Sequence, residues 1–319
     1  MKKIGVLTSG GDASGMNAAI RAVVRSAIFN KLEVAGIQRG YEGLINEEII
    51  PLNHRSVSNI INRGGTILKT ARSESFLTEE GQRRAVEVIK KNTIDGLIII
   101  GGDGSYRGAK VLCEKWGIPC IGVPGTIDND LNGTDWTIGA ATAVNVALDA
   151  IDKIRDTATS MERIFVVEVM GRNSGFIAIH VALCAGAEEV LVPEKKFDIS
   201  NICHEIVEGN LRGKVSWIII TAEGAMSAHT LAQRITEITS LETREVVLGH
   251  VQRGGSPVAL DRYLATSLGV AAVGLLLKGE SNKAVGIVAN KLNVISLAEA
   301  IKPKAVEVEA TYRLIKIIT

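Results

Sequence analysis

The chain has 319 residues, of which 46% are hydrophobic and 22% charged, and this length predicts about two domains with a large core. Its 36 Lys and Arg side chains stand against 35 Asp and Glu, giving a net charge of +1, and only 4% of residues are aromatic, which argues against nucleic-acid or membrane-surface partners. The N-terminal apolar run is too short for a signal peptide, no stretch approaches the ~18 apolar residues of a membrane span, and the four cysteines form no Cys-x-x-Cys pair. We therefore expect a cytoplasmic protein whose cysteines are buried, reduced thiols.

The first third of the chain alternates strands and helices. The sequence predicts strands at 4–8 and 33–37 and helices at 16–30 and 78–92, the last beginning at Thr78. Glycines around Tyr41 predict either a loop that leaves its ring available or a plain turn, and Arg72 in a polar loop faces either solvent or an anionic ligand. Arg21 and Arg25 share one helical face, which is either a solvated surface or an anion site.

The segment at 96–105, GLIIIGGDGS, has the features of a phosphate-binding turn. Its apolar run is typical of a strand buried on both faces, and its glycines let another group approach the backbone closely. Ser105 opens a helix that reaches residue 116, and the first amides and positive dipole end of a helix attract an anion. With Asp103 beside them, these amides predict a site for phosphate and a divalent cation; the alternative is an ordinary turn with a surface acid.

The next apolar strand, at 119–123, leads into a dense polar cluster, PGTIDND at 124–130. Ligands of open α/β sheets bind beyond the carboxyl ends of the strands, so Asp128 and Asp130 are well placed for catalysis. In an extended loop, residues two apart point the same way, so that one acid acts as a general base while the other supports a metal or the loop. The alternative is an Asx turn in which both acids bond to their own backbone.

The second half continues the same alternation. Arg172 follows a strand at 164–169, where an arginine can neutralise charge on a transferring phosphoryl group. His250 and Arg253 lie in a Gly-rich loop that suits a ligand. Further strands are predicted at 217–221, 246–248 and 285–289, and helices at 137–156, 176–187, 199–209, 261–278 and 305–317. The alternation predicts an α/β, doubly wound architecture.

Five motifs, spread in order over nearly the whole chain, resemble those of the bacterial ATP-dependent 6-phosphofructokinase family. They are SGGD at 9–12, IGGDGS at 100–105, PGTIDND at 124–130, MGR at 170–172 and GHVQRGGSP at 249–257. The resemblance implies phosphoryl transfer from ATP to the 1-hydroxyl of fructose 6-phosphate, with Mg²⁺. It also implies two Rossmann-like three-layer α/β/α domains with mainly parallel sheets and the active site in the cleft between them: a larger ATP-binding domain of residues 1–138 and 251–303, and a smaller fructose 6-phosphate-binding domain of residues 139–250 and 304–319.

The resemblance implies a role for each residue that matches a family motif. Asp128 would be the general base, supported by Thr126 and Asp130, and Arg172 would stabilise the transition state. Mg²⁺ would bind near Asp103. ATP would contact Gly11, Tyr41, Arg72, Ser73, Gly102, Asp103, Gly104, Ser105 and Gly108. The sugar phosphate would contact these catalytic residues together with Met170, Gly171, Glu223, His250 and Arg253, and with Arg163 and Arg244 of a neighbouring subunit.

The same resemblance implies a homotetramer regulated by ADP and phosphoenolpyruvate. The matching effector residues are Arg21, Arg25, Arg155, Gly186, Glu188, Arg212 and Lys214. Gly104 and Gly125 stand where pyrophosphate-using relatives carry Asp and Lys, which predicts ATP as the donor. Ser14 replaces a usual Pro, which predicts a looser start for the first helix.

Two other functions compete with this interpretation. A lipid or NAD kinase shares the Gly-Gly-Asp-Gly turn but lacks the motifs at 126–130 and 250–253. A catalytically inactive regulatory subunit with the same fold is disfavoured by the presence of Asp103, Asp128 and Arg172.

Overall fold

The computed structural model describes residues 1–304 and 306–319 and divides the chain into two compact units. The first unit contains Met1–Thr142 and Arg253–Lys304, and the second contains Ala143–Gln252 and the described residues 306–319. The predicted boundaries at 138, 250 and 303 lie near these divisions, and the ligand that each unit binds stays a proposal.

The strands and helices are numbered in chain order. The strands are β1 (Lys3–Ser9), β2 (Glu33–Ile37), β3 (Ile49–Leu52), β4 (Gly96–Gly101), β5 (Cys120–Thr126), β6 (Ile138–Gly139), β7 (Ile164–Val169), β8 (Glu189–Leu191), β9 (Trp217–Ala222), β10 (Thr243–Val247), β11 (Lys283–Val288) and β12 (Lys291–Ser296). The helices are α1 (Met16–Phe29), α2 (Gly40–Ile45), α3 (Glu79–Lys91), α4 (Asp103–Trp116), α5 (Ala140–Met161), α6 (Phe176–Ala185), α7 (Ile199–Leu211), α8 (Ala228–Thr239), α9 (Ala259–Leu277), α10 (Leu297–Ala300) and α11 (Glu309–Ile318).

The first unit is built on one sheet with the order β12-β11-β5-β4-β1-β2-β3, and β6 pairs with β5. The inner strands are parallel, while the edge strands β3 and β12 are antiparallel to their neighbours. All six residues of β4 are buried, as its apolar sequence predicted. Helices α1 and α9 pack together against the sheet, and a core cluster that includes Leu7, Leu97 and Leu112 joins it to α2, α3 and α4.

Helix α9 corrects the expectation that no segment approaches the length and hydropathy of a membrane span. It has 19 residues, and an 18-residue window reaches a mean hydropathy of 1.4. Its residues Ala265, Leu268 and Ala272 are completely buried, and the helix packs on α1 and β5. These contacts account for its apolar composition as that of a core helix.

The second unit contains a parallel sheet with the order β10-β7-β9-β8. Its core cluster joins Val166 and Ile219 of the sheet to Ile206 of α7 and Leu231 of α8, while α6 and α11 pack against each other and against β8. The predicted closing helix starts at Ala305, which lies outside the described residues; the described helix α11 begins at Glu309. Parallel sheets covered by helices confirm the predicted α/β class.

Candidate active site

Three polar loops follow neighbouring strands of the first unit. Strand β4 pairs with β1 on one side and β5 on the other, with Gly101 opposite both Ser9 and Pro124. The loops after these strands therefore leave the sheet at one edge, as the sequence predicted. The chain runs from β1 towards β2 and β3 on one side, whereas β4 and β5 lie on the other side of β1. This is a topological switch point, where open α/β sheets bind ligands.

The side chain of Ser105 links the first two of these loops. It is buried, and a Cβ built on Gly10 would lie 3.5 Å from its hydroxyl oxygen. A Cβ on Gly102 would lie 3.5 Å from Cβ of Thr126, so the second loop also approaches the third. Helix α4 begins at Asp103 without a side-chain cap. The amides of its first turn are therefore available to an anion.

Asp103 is a partly exposed carboxylate at this helix start. Its side chain is 39% exposed, and Oδ2 lies 3.7 Å from Nε of Arg107. Within residues 1–304 and 306–319, no group of three or more His, Cys, Asp and Glu side chains could hold a metal ion. Mg²⁺ usually keeps several waters and binds through one or two carboxylates plus substrate phosphates. A single acid beside free amides therefore fits Mg²⁺ delivered with a nucleotide.

Tyr41 is buried, so the prediction that its ring is available in a loop is wrong. It lies in α2, its ring stacks on Phe76 with the centroids 4.2 Å apart, and its hydroxyl donates to the Ser105 carbonyl over 2.6 Å. A Cβ on Gly108 would lie 2.6 Å from Cζ of this ring. Packing against Phe76 and α4 overrides the turn that the flanking glycines favour.

Asn129 fixes the loop that carries the two acids. Its Nδ2 donates to the Asp135 carbonyl over 2.9 Å, and its Oδ1 accepts from the Thr137 amide over 2.8 Å. Its φ of 50° is left-handed, so the loop is not extended between Asp128 and Asp130. The expectation that the Asp128 and Asp130 side chains point the same way, which requires an extended loop, is therefore not met. No role was predicted for Asn129, although Asn is a residue that tolerates this conformation.

Asp128 is only 4% exposed, and its amide donates to Oγ1 of Thr126 over 3.2 Å. A cation that the sequence analysis missed lies near this loop: Nζ of Lys304 donates to the Thr134 carbonyl over 2.8 Å. Burial lowers the pKa of Lys304, and the negative charges of Asp135 and Asp130 oppose that shift.

Arg253 lies against the first Gly-rich loop of the same unit. Its Nη1 donates to the Asp12 carbonyl over 3.0 Å, and a Cβ on Gly11 would fall 2.5 Å from that nitrogen. The expectation that Ser14 loosens the start of α1 is not borne out, because the buried Ser14 hydroxyl lies 3.3, 3.0 and 2.9 Å from the carbonyl oxygens of Arg253, Gly254 and Gly255. Ser14 thus ties the start of the helix to the loop that carries Arg253.

Arg72 is exposed, and the chain before it is held next to β1. The Thr8 hydroxyl, at the end of β1, donates to the Lys69 carbonyl over 2.8 Å. The Ser73 hydroxyl donates to Oε2 of Glu42 over 2.7 Å, and this hydrogen bond lowers the pKa of Glu42. Arg72 is therefore anchored on both sides while its guanidinium stays accessible.

In the second unit, the predicted sugar-phosphate residues also follow neighbouring strands. Met170, Gly171 and Arg172 come after β7, and Glu223 comes after β9. Val169 pairs with Ala222, so these loops leave the sheet at one edge. Strand β10, on the other side of β7, leads into a short 3₁₀ turn, Gly249–Arg253, in which His250 is exposed.

Glu223 holds the backbone of the turn that carries Arg172. Its Oε1 accepts from the amides of Gly171 over 3.1 Å and of Arg172 over 2.7 Å. Arg172 has a left-handed φ of 52°, and its carbonyl packs so closely on Gly224 that a Cβ there would overlap it. The sequence predicted Glu223 only as a contact for the sugar phosphate; the geometry adds a positioning contact to Arg172.

Arg163 and Arg244 share one acid, Glu242. Nε of Arg163 lies 3.0 Å from Oε2 of Glu242, and Nη2 of Arg244 bonds to Oε1. Burial alone would raise the pKa of Glu242, but the hydrogen bond from Arg244 and the charge of Arg163 outweigh it, and the pKa is lowered. The two arginines predicted to act on a neighbouring subunit are thus brought together.

The predicted effector residues of the second unit form hydrogen bonds and ion pairs with residues of the same unit. Nη2 of Arg155 donates to the carbonyls of Ala185 and Gly186 over 2.7 and 2.9 Å. Nζ of Lys214 lies 3.3 Å from the buried Glu188, and Arg212 pairs with Glu208 over 2.6 Å.

The other two predicted effector residues, Arg21 and Arg25, lie on α1 of the first unit. Nη2 of Arg25 donates to the His54 carbonyl over 3.3 Å.

The fold and these loops define the class of an α/β protein with phosphate-binding turns at the carboxyl ends of parallel strands. The sequence pattern of the phosphofructokinase family matches residues 3–276. The chain belongs to the phosphofructokinase family, and the resemblance drawn from its five motifs is confirmed.

Proteins similar over their whole length carry a more specific name. The chain is 52% identical to the ATP-dependent 6-phosphofructokinase of Halothermothrix orenii and 53% identical to that of Clostridium tetani, with both chains fully covered in each case. It is 56% identical to that of Oceanobacillus iheyensis, over 92% of this chain and 91% of the relative.

Solved structures of the same family share the fold. A phosphofructokinase from Saccharomyces cerevisiae has a TM-score of 0.89 and 37% identity over 94% of this chain, which spans 45% of the yeast chain. A pyrophosphate-dependent phosphofructokinase from Marinobacter aquaeolei has a TM-score of 0.82 and 25% identity, covering 94% of this chain and 84% of that one.

Proposed function

We propose that the protein is an ATP-dependent 6-phosphofructokinase. It transfers the γ-phosphoryl group of ATP to the 1-hydroxyl of fructose 6-phosphate and releases ADP and fructose 1,6-bisphosphate. The observation that carries this proposal is the meeting of three loops, at Gly11, at Gly102–Ser105 and at Thr126–Asp130, along one sheet edge. Amides at a helix start next to acidic side chains suit the phosphates of a nucleotide and the deprotonation of an alcohol. Full-length similarity to enzymes of this name supports the particular substrates.

The first unit is the proposed nucleotide site. The phosphates would accept hydrogen bonds from the amides of α4 and of the first loop, with the positive helix end favouring their charge. Mg²⁺, held through Asp103, would neutralise charge on the phosphates. The residues proposed to contact ATP are Gly11, Arg72, Ser73, Gly102, Asp103, Gly104, Ser105 and Gly108, while the buried Tyr41 supports the site by packing against Gly108.

Asp128 is the proposed general base. A sugar hydroxyl is a poor nucleophile, and a positioned carboxylate that accepts its proton contributes about 10²–10⁴-fold to the rate. Asn129 and Thr126 hold the backbone around Asp128, and Asp130 lies two residues further along the loop. Arg172 is proposed to stabilise charge on the transferring phosphoryl group, an effect worth about a thousandfold or more in related chemistry.

The second unit is the proposed site for most contacts to fructose 6-phosphate. Glu223 holds the turn that carries Arg172. A sugar hydroxyl would form a hydrogen bond at the same loop. The proposed contacts are Thr126, Asp128, Asp130, Met170, Gly171, Arg172, Glu223, His250 and Arg253, with Arg163 and Arg244 supplied by a neighbouring subunit.

Glycine at two positions supports ATP rather than pyrophosphate as the donor. No heavy atom lies within 4 Å of a Cβ built on Gly104, so this position leaves open space next to Asp103. A carboxylate placed there would occupy that space and repel the α-phosphate of a nucleotide. Gly125 is closely packed, with Ile100 3.0 Å and Met16 3.2 Å from a built Cβ, and has no room for a lysine without rearrangement.

The test of the proposed function is ADP release measured with and without fructose 6-phosphate. We expect release with ATP and Mg²⁺ only when the sugar phosphate is present, and slower turnover when pyrophosphate replaces ATP. Phosphorylation of a lipid or of NAD instead would assign the protein to the competing kinase class. The absence of turnover with every acceptor would support an inactive regulatory subunit.

We further propose that the enzyme is a homotetramer whose effector site takes ADP or phosphoenolpyruvate. The clustering of Arg155 with Gly186 and of Lys214 with Glu188 supports an anion site in the second unit, and Arg21 and Arg25 would contribute from another subunit. Velocity measured against fructose 6-phosphate, with each effector added separately, tests the proposed regulation. Identical curves with and without both effectors would contradict regulation.

A further inference from the structure

Two cysteines lie near Ser281, one in the last turn of α4 and one at the start of β5. The proposed active-site loops lie at the opposite ends of these two elements. Cys113 is in the last turn of α4, and Cys120 is the first residue of β5. The other ends of these elements carry Asp103 and Thr126. The expectation that all four cysteines are buried is wrong, because Cys184 is exposed and Cys113 is partly exposed, while Cys120 and Cys203 are buried.

The surroundings of Cys113 favour its thiolate. The Ser281 hydroxyl lies 3.7 Å from Sγ of Cys113 and accepts from the Cys120 amide over 3.3 Å. Hydrogen bonding from the Cys120 thiol outweighs burial, and together with bonds from Ser281 and the Asn282 amide it lowers the pKa of Cys113 from 9.0 to about 7. A partly exposed thiol that is half ionised at neutral pH is a reactive one.

Cys120 has the complementary character. It is fully buried, and its Sγ lies 3.4 Å from the Ile118 carbonyl. Burial raises the pKa of Cys120, and its hydrogen bond with Cys113 and the negative charge there raise it further. It therefore keeps its proton and is shielded from reagents in solution, while Ser281, whose Oγ reaches both the Cys120 amide and Sγ of Cys113, holds the two residues side by side.

We propose that Cys113 and Cys120 form a peroxide-sensitive dithiol that closes to a disulfide between α4 and β5. The Cys113 thiolate attacks the distal oxygen of a hydroperoxide; the O–O bond breaks, and the leaving oxygen takes a proton to give an alcohol or water. The Cys120 sulfur then attacks the resulting Cys113 sulfenic acid; the S–O bond breaks, and hydroxide leaves with the Cys120 proton as water. Two thiols are oxidised by two electrons, and one hydroperoxide is reduced.

Peptide mapping of the full-length protein tests the proposal. Lys115 stands between the two cysteines, so trypsin leaves them in separate peptides that remain together only through a disulfide. After treatment with stoichiometric hydrogen peroxide and blocking of free thiols, we expect one linked pair, Cys113 with Cys120, and its loss on addition of dithiothreitol. Cys113→Ser removes the link, whereas the matched control Cys184→Ser retains it.

A second measurement follows the reactivity of Cys113 without forming the disulfide. Alkylation of Cys113 by iodoacetamide should reach half its maximal rate near pH 7, the pKa to which the hydrogen bonds lower it. Cys120→Ala should shift the Cys113 profile upward, because it removes the largest of the favourable hydrogen bonds. Sulfinic acid on Cys113 without a link, a link to Cys184 or to another chain, or no oxidation at all would overturn the proposal.

Discussion

At the scale of single residues, the proposed chemistry depends on side chains that do not react. Asn129 holds the turn between two acids in a left-handed conformation, and Glu223 holds Arg172 through two amides. Positioning of this kind matters because a displacement of about 1 Å can cost about a hundredfold in rate. Residues next to the proposed catalytic groups are therefore expected to affect turnover as well as stability.

Asn129→Ala should lower both the free energy of unfolding and kcat. The change removes two hydrogen bonds and leaves alanine at a φ of 50°, so we expect a loss of about 2–4 kcal/mol and a drop in kcat of about tenfold or more. Urea unfolding and steady-state kinetics measure the two effects. The matched control is Asn290→Ala, an exposed left-handed site with a φ of 61°, which should lose only the conformational part. Equal effects of the two variants would contradict the role of Asn129.

Gly108→Ala should disturb the floor of the proposed nucleotide site. The new Cβ would lie 2.6 Å from the Tyr41 ring, which Phe76 holds from the other side, so we expect a loss of about 1–3 kcal/mol and a higher KM for ATP. Gly274→Ala is the control, because that helical glycine has nothing within 4 Å of a built Cβ; it should gain about 0.5–1 kcal/mol. A Gly108→Ala variant that is equally stabilised, with an unchanged KM for ATP, would refute this packing.

At the scale of strands and helices, the sequence predicted the elements whose burial dominates. Glycine follows within three residues of the apolar runs of β1, β4 and β5, so both the strands and the turns after them could be identified. Strands β3 and β12, which are edge strands only partly buried, were not predicted, and helix α8 was not predicted either. A signal for α8 was present, since Ser227 caps it and Leu231, Ala232 and Ile235 are buried at helical spacing.

The features that sequence could not give depend on contacts between distant segments. The helical state of Tyr41 follows from Phe76 and α4, and the bonds of Ser14 follow from a loop some 240 positions away. The left-handed Asn129 depends on acceptors and donors at Asp135 and Thr137. Each is a tertiary effect that local propensity does not encode.

The docking of α11 gives a prediction at this scale. Nζ of Lys316 bonds to Glu189 over 2.7 Å and to Glu205 over 2.9 Å, and the Glu189 side chain is only 7% exposed. Lys316→Met would leave that acid without its cation, and we expect a loss of about 1–3 kcal/mol, less than for a fully buried pair because Lys316 is 29% exposed. Adding Glu189→Gln to this variant should restore part of the lost stability. Faster hydrogen exchange in α11 is the local readout, and unchanged exchange would contradict the docking role.

The contribution of the Lys316–Glu189 ion pair to the free energy of unfolding depends on pH, and the direction of this dependence can be derived. Burial by itself would lower the pKa of Lys316, but hydrogen bonds to Glu189 and Glu205 raise this pKa above 10.5. A raised pKa on a cation means that its contribution is fully present below the unfolded pKa and is lost as pH rises through the folded pKa. The stability difference between wild type and Lys316→Met should therefore stay constant up to about pH 10 and narrow above it. If the stability difference between the two proteins narrows between pH 5 and 8 instead, the charge of Lys316 is not its cause.

At the scale of the whole molecule, the proposed active site would take residues from more than one chain. Arg163 and Arg244 are held together by Glu242, and their proposed substrate lies on a neighbouring subunit. Shared sites of this kind make activity depend on assembly. Complementation between inactive variants is then possible, because one intact site can draw its residues from two damaged chains.

Mixing Asp128→Ser with Arg244→Ala should restore activity that neither variant has alone. After dissociation and random reassembly of equal amounts across a two-fold interface, about a quarter of the sites would combine an intact Asp128 with an intact Arg244. Steady-state turnover of the mixture measures this, with each variant carried through the same procedure alone as the control. A mixture no more active than the average of the two controls would place all catalytic residues in one chain.

Asp128→Ser, assayed by itself, tests the central claim most directly. The account predicts that kcat with ATP and fructose 6-phosphate falls about 10²–10⁴-fold, while the KM values for both substrates stay within a few-fold, because the variant lacks the base and keeps the loop that Asn129 holds. Turnover close to that of the wild type would contradict it.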